Sequence, residues 1–215
     1  MEGTLLEALP DETRREVLRV ARRRRFARRE VVFHEGDPGD TLHLLVKGHV
    51  AVRTTTPLGD VGILGVLGPG QVFGELALVD PAPRHATIVA LDPCETLSLH
   101  RDTIDELRAG HAQVDRILLE AVVVELRRVS THLLEVMYVP VEKRLHRRLL
   151  HLLPLYGGPS PCTVPLTQEE LAQLTGTTRP TVNRLLRDAE EAGVLRVGRG
   201  RIEVLDVDGL AARGR

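Results

Sequence analysis

The residue types best suited to chemistry stand in two stretches of the chain, and the first runs from Phe73 to Leu78. It follows a glycine turn and its pattern predicts a short helix, whose first turn would present free N–H groups and a positive dipole end. Arg84 can return to the same place and donate charge-assisted hydrogen bonds to a phosphate. Glu75 would repel a phosphate unless its carboxylate faced another group, such as a sugar hydroxyl. The spacing therefore indicates a site for phosphate plus ribose, with a surface ion pair between Arg84 and Glu75 as the alternative.

The second stretch, from Thr167 to Ala192, predicts two helices joined by a tight turn. Thr167 and Glu170 have the spacing of a capping box, and Gly176 suits the positive φ at which many helices end. Thr178 can then cap the second helix. The pattern is a short helix, a glycine turn and a second helix.

The second predicted helix buries one face and turns a basic face outward. Its apolar residues recur at helical spacing and are Val182, Leu185, Leu186 and Ala189. The residues turned outward to varying degrees are Arg179, Thr181, Asn183, Arg184 and Arg187. Arginines at the start of such a second helix are typical of a helix-turn-helix DNA reader. An ordinary pair of helices with a solvated basic face is the alternative.

The segment that follows strengthens the DNA-reading interpretation. Residues 194–204 alternate in polarity around a central Gly-Arg-Gly, which predicts a β-hairpin, or wing. Arg196, Arg199 and Arg201 on this hairpin are suited to phosphate contacts.

The first half of the chain supplies the elements that must hold the phosphate site. Residues 4–22, with Leu5, Leu6 and Leu9, have helical periodicity. The basic cluster that starts at Arg22 is interpreted as a solvated helix end that leads into a strand, with nucleic-acid binding as the alternative. Short apolar strands with glycine turns between them then fill residues 31–99, which predicts a β-barrel or sandwich able to enclose a small ligand. The predicted strands are Leu42–Val46, His49–Thr55, Val61–Val66, Thr87–Leu91 and Thr96–Leu99.

A short helix over Arg101–Gly110 and a long one from about Ala112 to Met137 come next, and Pro140 ends the long helix. One apolar stripe repeats every three or four residues as in a coiled coil and consists of Leu119, Val122, Leu126, Val129, Leu133 and Val136. A second stripe consists of Val114, Ile117, Leu118 and Ala121. We expect the heptad stripe to pack on the same helix of a second copy of the chain, and the other stripe to pack on the barrel. A core helix of a monomer is the alternative.

The composition and charge of the chain limit the classes of function that it can have. The chain has 215 residues and a net charge of −1, but residues 139–215 carry 12 Lys and Arg against 9 Asp and Glu. Only this last part has the charge to approach nucleic acid. Two cysteines are too few for a disulfide framework or a cysteine-ligated metal cluster, and no apolar run is long enough to cross a bilayer. We therefore expect a cytoplasmic protein. The absence of a nucleophile–base pair or a phosphate-binding glycine loop argues against an enzyme.

The order of these elements resembles the cyclic-AMP receptor protein (Crp/Fnr) family of transcription regulators over nearly the whole chain. The motifs that carry the resemblance are Gly36-Asp37 through Gly48, Phe73-Gly74-Glu75-Leu76-Ala77 with Arg84-His85-Ala86, and Thr178-Arg179-Pro180-Thr181-Val182-Asn183-Arg184. The resemblance implies an α+β chain with an N-terminal cyclic-nucleotide-binding-like β-barrel (jelly roll) in residues 1–110. A dimerisation helix would follow in residues 111–138 and a C-terminal winged helix-turn-helix in residues 139–215.

The resemblance also implies roles for the residues of the effector site. Glu75 would bind the ribose hydroxyl and Arg84 the cyclic phosphate. Gly74 and Leu76 would supply a backbone cradle. His85 stands where bacterial nucleotide binders often have Ser or Thr.

At the base end the match is weaker. The family places a Thr-Ser pair against adenine, and the equivalent positions here are Val129 and Ser130, with Thr131 next. Glu125 stands where relatives can have an arginine near the base. The effector residues implied at this end are Ser130 and Thr131.

In the DNA reader, the family's base-contacting positions fall on Arg179, Thr181 and Arg184. Arginine can bind guanine O6 and N7 with two hydrogen bonds. Pro180 replaces a glutamate that is common in relatives, so the preferred DNA sequence should differ from that of the best-known member. The other predicted DNA-binding residues are Thr178, Asn183, Arg187, Arg199 and Arg201.

The expected function is a homodimeric DNA-binding regulator in which a cyclic nucleotide such as cyclic AMP sets the spacing of the two recognition helices. Its partners would be a two-fold pseudo-palindromic duplex, a second copy and RNA polymerase, with no membrane. We expect no catalytic residue, no metal and no tightly bound cofactor. The alternatives are a ligand-independent regulator controlled by its abundance, and a cyclic-nucleotide-binding module for another protein.

Overall fold

The computed structural model describes residues 10–80, 82–158 and 161–215, so the predicted contributions of Leu5, Leu6 and Leu9 lie outside it. The chain divides into two compact units. Unit 1 comprises residues 1–54 and 66–128, and unit 2 comprises residues 55–65 and 129–215. The predicted division at residues 110 and 138 stays a prediction.

Unit 1 is built mainly of antiparallel strands with helices at either end. Its elements are α1 (Asp11–Val20), β1 (Arg22–Phe26), β2 (Val31–Phe33), β3 (Thr41–Lys47), β4 (Val50–Thr55), β5 (Val61–Leu67), β6 (Val72–Phe73), α2 (Leu76–Val79), β7 (Thr87–Ala90), β8 (Cys94–His100), α3 (Arg101–Gly110) and the start of α4 (Ala112–Tyr138). Residues 55–65, which include the last residue of β4 and most of β5, are assigned to unit 2. The predicted strands and the bounds of α3 are confirmed.

The strands form two four-stranded sheets, in the orders β1-β8-β3-β6 and β2-β7-β4-β5. Aromatic rings join the sheets: Phe33 of the second sheet lies 6.1 Å from His43 and 6.0 Å from Phe73 of the first, between ring centroids. His43 stacks on Phe73 at 5.1 Å. Burial of His43 and Phe73, with Leu45 and Val50 fully buried, gives the sandwich its core.

The basic cluster differs from the prediction. Arg22, Arg23, Arg24 and Arg25 form strand β1 itself rather than the end of α1, which ends at Val20. The strand pairs with β8, and both Arg23 and Arg25 reach Glu95 across the sheet. The strand cannot be predicted from the local sequence because β8, the strand that stabilises it, is some seventy residues away in the chain.

The predicted long helix is confirmed as α4, which ends two residues before Pro140. The expectation that one of its faces packs on the sensor part is also confirmed. Val114 and Leu118 of α4 are buried in a cluster with Leu42, Leu99 and Leu107. The residues of the heptad stripe, by contrast, are half-buried or exposed.

Unit 2 holds the rest of the helices and a small sheet. Its elements are the end of α4, α5 (Val141–Leu152), a 3₁₀ turn (Leu153–Tyr156), β9 (Cys162–Val164), α6 (Gln168–Thr175), α7 (Arg179–Glu191), β10 (Leu195–Gly198), β11 (Arg201–Val204) and α8 (Val207–Gly214). The predicted hairpin is confirmed, and β9 adds a third strand to it, in the order β10-β11-β9. Neither β9 nor α8 is predicted by the sequence pattern.

Candidate effector and DNA-binding sites

A cavity of about 300 Å³ opens within unit 1, beside the segment that connects β6 to β7. Five predicted effector residues line it: Gly74, Glu75, Leu76, Arg84 and His85. This volume lies at the lower end of the range of small-molecule sites. The structure thus places the residues predicted to bind phosphate and ribose around one cavity.

Arg84 is the central group of the cavity and is only 4% exposed. Its Nη1 donates to the Gly74 carbonyl at 2.9 Å, and its Nη2 donates to the carbonyl and the hydroxyl of Thr41 at 2.7 and 2.8 Å. The guanidinium also lies 4.1 Å from the centre of the Phe33 ring. The predicted alternative, a surface arginine paired with Glu75, is therefore wrong.

Some N–H donors of the Arg84 guanidinium remain available to a ligand. A guanidinium has five N–H groups, and the three bonds to Gly74 and Thr41 leave two of them. Nε is buried and has no hydrogen-bond partner among the residues that the structure describes. A buried charged donor without a partner is costly, and burial accordingly lowers the pKa of Arg84. An anion in the cavity would satisfy it.

Gly74 is required by the position of Arg84. Its φ of +84° is in the left-handed region, and a Cβ there would lie 2.7 Å from Arg84 Nη1 and 2.8 Å from the Thr41 carbonyl. No side chain fits in this space. The Phe73-Gly74-Glu75 motif therefore has a physical basis in the approach of Arg84 to the backbone.

Helix α2, which follows Gly74, is held in place by Arg101, a residue that does not line the cavity. Helix α2 has only four residues, so the positive potential of the site depends mainly on Arg84 rather than on a helix dipole. Arg101 donates to the carbonyls of Ala77, Leu78 and Gly39 and so ties the end of α2 to the preceding loop.

Glu75 is half-buried on the cavity wall. Burial raises the pKa of Glu75, and the nearby Glu125 carboxylate raises it further, while its own backbone N–H and Arg84 act in the opposite direction. Such a carboxylate gains from a hydroxyl donor. This surrounding is consistent with the sugar-binding role that the resemblance implies.

Helix α4 supplies the remaining wall through Val122, Glu125 and Arg128. Sequence reasoning noticed Glu125 but missed Arg128, although spacings of three residues put all three on one side of a helix. The other predicted base-end residues, Ser130 and Thr131, are exposed residues of α4 that belong to unit 2. Their role as effector ligands stays a prediction.

The helix-turn-helix of unit 2 has the predicted local chemistry. Thr167 Oγ1 accepts from the Glu170 N–H while the Glu170 carboxylate accepts from the Thr167 N–H, a complete capping box. Gly176 ends α6 with a φ of +69°. Thr178 then caps α7 by accepting from the Thr181 N–H.

Helix α7 is anchored by its apolar face and presents its arginines to solvent. Val182, Leu185, Leu186 and Ala189 are all buried. Arg179, Arg184 and Arg187 are exposed, as is Thr178, and Thr181 is half-buried. The three arginine side chains are therefore accessible to a DNA groove.

Asn183 and Arg184, both predicted to bind DNA, have side-chain partners within unit 2. Asn183 Nδ2 donates to Gln168 Oε1 at 2.9 Å, which ties α7 to the start of α6. Arg184 lies 3.5 Å from Asp188 one turn later, in a solvent-exposed ion pair that DNA can displace. Asn183 thus contributes to the spacing of the two helices in addition to any DNA contact.

The wing holds Arg199 in its turn and Arg201 on β11, both exposed. Arg196 on β10 is paired with Glu203 at 3.0 Å. Gly200 has a φ of +68°, as the tight turn requires. The wing therefore presents two arginines for phosphates.

No three His, Cys, Asp or Glu side chains converge as a metal site in the part of the chain that the structure describes. Among the same residues, no helix is both long and apolar enough to cross a membrane.

Comparison with known proteins identifies two domain families in the chain. Residues 23–111 match the cyclic nucleotide-binding domain family, and residues 143–213 match the Crp-like helix-turn-helix domain family. The CRP-like cAMP-activated global transcriptional regulator of Mycobacterium tuberculosis is 34% identical over 194 residues, which cover 88% of this chain and 87% of that protein. The cyclic AMP receptor protein of Thermus thermophilus is 34% identical over 85% of this chain and 83% of its own.

Among solved structures, FixK2 of Bradyrhizobium japonicum superposes with a TM-score of 0.81 over 91% of this chain and 98% of its own, at 21% identity, and so supports the fold. Both domain families and the identity to the two regulators cover most of the chain. It therefore belongs to the Crp/Fnr family of DNA-binding transcription regulators, carries a cyclic-nucleotide-binding domain, and is not an enzyme.

Proposed function

We propose that this regulator binds DNA as a homodimer and that a 3′,5′-cyclic nucleotide in the cavity of unit 1 controls its affinity for DNA. The main support for an effector is the buried Arg84. Its Nε lacks a hydrogen-bond partner in the described part of the chain, and its side chain lines an open cavity. The M. tuberculosis relative is named as cAMP-activated, which supports a nucleotide of this class.

The cavity offers complementary groups to such a ligand. The reserve donors of Arg84 suit the cyclic phosphate. The Glu75 carboxylate suits the ribose hydroxyl, as the family resemblance implies, with His85 at the exposed rim. Predicted contributions of Ser130 and Thr131 belong to the same proposal.

The apolar stripe of α4 supports the homodimer. Leu126 is 64% exposed and Leu133 58% exposed, and both stand at heptad spacing with Leu119, Val129 and Val136. A row of exposed leucines and valines at this period is stabilised when a second such helix covers it. Two-fold symmetry would then place two α7 helices on half-sites about one turn of DNA apart, roughly 34–36 Å.

A pseudo-palindromic duplex would be contacted by the start of α7 and by the wing. The contacting residues would be Thr178, Arg179, Thr181, Asn183, Arg184 and Arg187, with Arg199 and Arg201 of the wing. We further infer a cytoplasmic protein that acts with RNA polymerase, as the family resemblance implies.

Calorimetry on the full chain tests the effector. Wild type, Arg84→Gln and Arg116→Gln are titrated with cyclic AMP and with cyclic GMP. Arg116 is an exposed arginine of α4 paired with Glu120, so it serves as the matched control. Binding by wild type and by the control, with a loss of at least tenfold in Arg84→Gln, supports the proposal. Equal affinity in all three proteins contradicts it.

One observation favours the ligand-independent alternative. Arg84 already makes three hydrogen bonds and a ring contact with its own chain, so much of the site is in place without a ligand. If protein shown by mass spectrometry to be nucleotide-free binds its operator at full affinity, the alternative is correct.

A further inference from the structure

One guanidinium in unit 2 donates to backbone carbonyls at the ends of two helices. Arg144, near the start of α5, donates from Nη1 to the carbonyls of Val136 and Val139 at 3.3 and 2.9 Å. Its Nε and Nη2 donate to the carbonyls of Thr175 and Gly176, each at 3.3 Å. The first pair of carbonyls lies at the end of α4 and the second at the end of α6. Arg144 thus ties the long helix to the helix-turn-helix.

These carbonyls need a side-chain donor because the backbone does not supply one. The last four carbonyls of an α-helix have no N–H partner within the helix. The carbonyl of Val136 would accept from the residue four positions later in a continuing helix, but Pro140 has no N–H. The N–H groups of Gly176 and Thr177 both bond back to Ala172, which leaves the last carbonyls of α6 to a side chain.

An arginine is suited to this position by its charge and by its shape. The C-terminal end of a helix carries a partial negative charge, so a cation between two such ends is favoured by both. A guanidinium also has five N–H donors spread over a rigid plane, which can reach two separate helices. The ammonium group of a lysine has the same charge, but its donors radiate from one atom. It would bind one helix end at the expense of the other.

The contact with α6 comes immediately before the DNA-reading helix. Gly176 is followed by Thr178, which caps α7, and by Arg179, the first residue of that helix. Asn183 of α7 is also bonded to Gln168 of α6, so the two helices are tied to each other. A shift of the end of α6 would therefore move the exposed arginines of α7. Groups that recognise a ligand must be held within about 0.5 Å of their productive positions.

From these contacts we infer that Arg144 is a positioning residue of the DNA reader. It fixes the turn before α7 to the end of α4 and so holds α7 in place for contacts with base edges. Sequence is read by such contacts, whereas phosphate contacts carry no sequence information directly. Loss of Arg144 should therefore lower the affinity for a specific site and preserve the general attraction to DNA. This role requires only the DNA binding of the family, and neither the proposed effector nor the proposed homodimer enters it.

Fluorescence anisotropy on the full chain tests this role with two duplexes, one selected by wild type from random sequences and one of unrelated sequence. Titrations are made with and without cyclic AMP, so that the result does not depend on an effector. Arg144→Gln removes the charge and most of the donors, and Arg144→Lys keeps the charge on one atom. Each should bind the selected duplex at least about tenfold more weakly than wild type, and the unrelated duplex within about threefold of wild type.

Lys143→Gln is the matched control, because Lys143 is the exposed neighbour of Arg144 on the same helix and loses the same charge. It should bind both duplexes with wild-type affinity. Hydrogen exchange adds a readout without DNA. The amides of Gly176 and Thr177 should exchange faster in both Arg144 variants, while the amides on the buried face of α7 should exchange as in wild type.

Three results would overturn the role of Arg144. The first is wild-type affinity for the selected duplex in either variant, or unchanged exchange at the turn in both. The second is an equal loss of affinity for both duplexes, which would mean a phosphate contact or a loss of folded protein. The third is a loss in Lys143→Gln as large as that in Arg144→Gln, since only the charge of α5 would then matter.

Discussion

Arg148 of α5 donates from Nη2 to the Glu135 carboxylate near the end of α4 at 2.8 Å, and both side chains are only about a tenth exposed. Arg147 reaches the other carboxylate oxygen at 3.4 Å, and the ring of His132 also contacts Arg148. The pair thus joins two helices on either side of Pro140 within unit 2. A third arginine, Arg144, adds to this by donating to the Val139 carbonyl at 2.9 Å.

Loss of the buried carboxylate at Glu135 should therefore destabilise unit 2. Glu135→Gln leaves the Arg148 charge without its counter-ion in a largely dry place, and we expect the free energy of unfolding to fall by about 3 kcal/mol. Urea unfolding followed by circular dichroism measures this. Glu120→Gln removes an exposed i,i+4 pair and should cost less than about 1 kcal/mol. Equal effects of the two substitutions would show that the buried pair has no special role.

Gly74→Ala should displace Arg84. The added methyl meets Arg84 Nη1 and the Thr41 carbonyl and must also adopt a positive φ, so we expect a loss of about 1–3 kcal/mol in stability and at least tenfold weaker nucleotide binding. Gly59→Ala is the control, because Gly59 has a φ of +93° but nothing within 4 Å of the added atom. Thermal unfolding and calorimetry report both effects. Undiminished nucleotide affinity in Gly74→Ala would contradict the close approach.

His43 should make unit 1 sensitive to acid. Burial, followed by the charges of Arg84 and Arg24, lowers the pKa of His43 from 6.5 to about 4. Above pH 6.5 the ring is neutral in both states and its contribution is complete. Between pH 6.5 and 4 only the unfolded chain binds the proton, so stability falls by up to about 3 kcal/mol.

The test compares wild type with His43→Phe, which suits the surrounding rings but cannot titrate. Other groups contribute equally to both proteins, so the difference between their free energies of unfolding isolates His43. This difference should change in favour of the variant as the pH falls from 6.5 to 4. A difference that is constant over this range would mean that His43 titrates normally in the folded protein.

Leu133→Glu should dissociate the proposed dimer. A charge in the centre of the exposed stripe opposes burial against a second helix, and we expect at least a hundredfold rise in the dimer dissociation constant. Arg127→Glu changes an exposed residue of α4 that stands outside the stripe and should leave the dimer intact. Sedimentation velocity distinguishes the two species. A wild-type protein that sediments as a monomer at micromolar concentration would contradict the proposal directly.

The elements that could be predicted from the sequence are those with local causes. The capping box of Thr167, the glycine stop at Gly176 and the Thr178 cap each involve residues within four positions, and the structure confirms all three. The long helix and its end before Pro140 follow from periodicity and one proline.

What could not be predicted depends on contacts that are distant in sequence. Two of the three hydrogen bonds of Arg84 go to Thr41, 43 residues away, so its burial was not visible in the motif. The three-residue strand β9 is stabilised by pairing with β11, and it has too few residues for a pattern of its own. Arg128 was missed because an i,i+3 ion pair on a helix is usually a surface feature, and only the cavity shows its position.

The most direct test of the whole account is the affinity of the protein for a duplex selected from random sequences, measured by fluorescence anisotropy with and without cyclic nucleotide. We expect wild type to bind the duplex at least tenfold more tightly with the nucleotide than without it. In the presence of nucleotide, Arg184→Ala should bind the duplex tenfold to hundredfold more weakly than wild type, since one bidentate base contact is worth about 1–3 kcal/mol. Arg84→Gln should lose the response to nucleotide and keep its basal affinity. DNA affinity that is identical in all three proteins and indifferent to nucleotide would contradict the central claim.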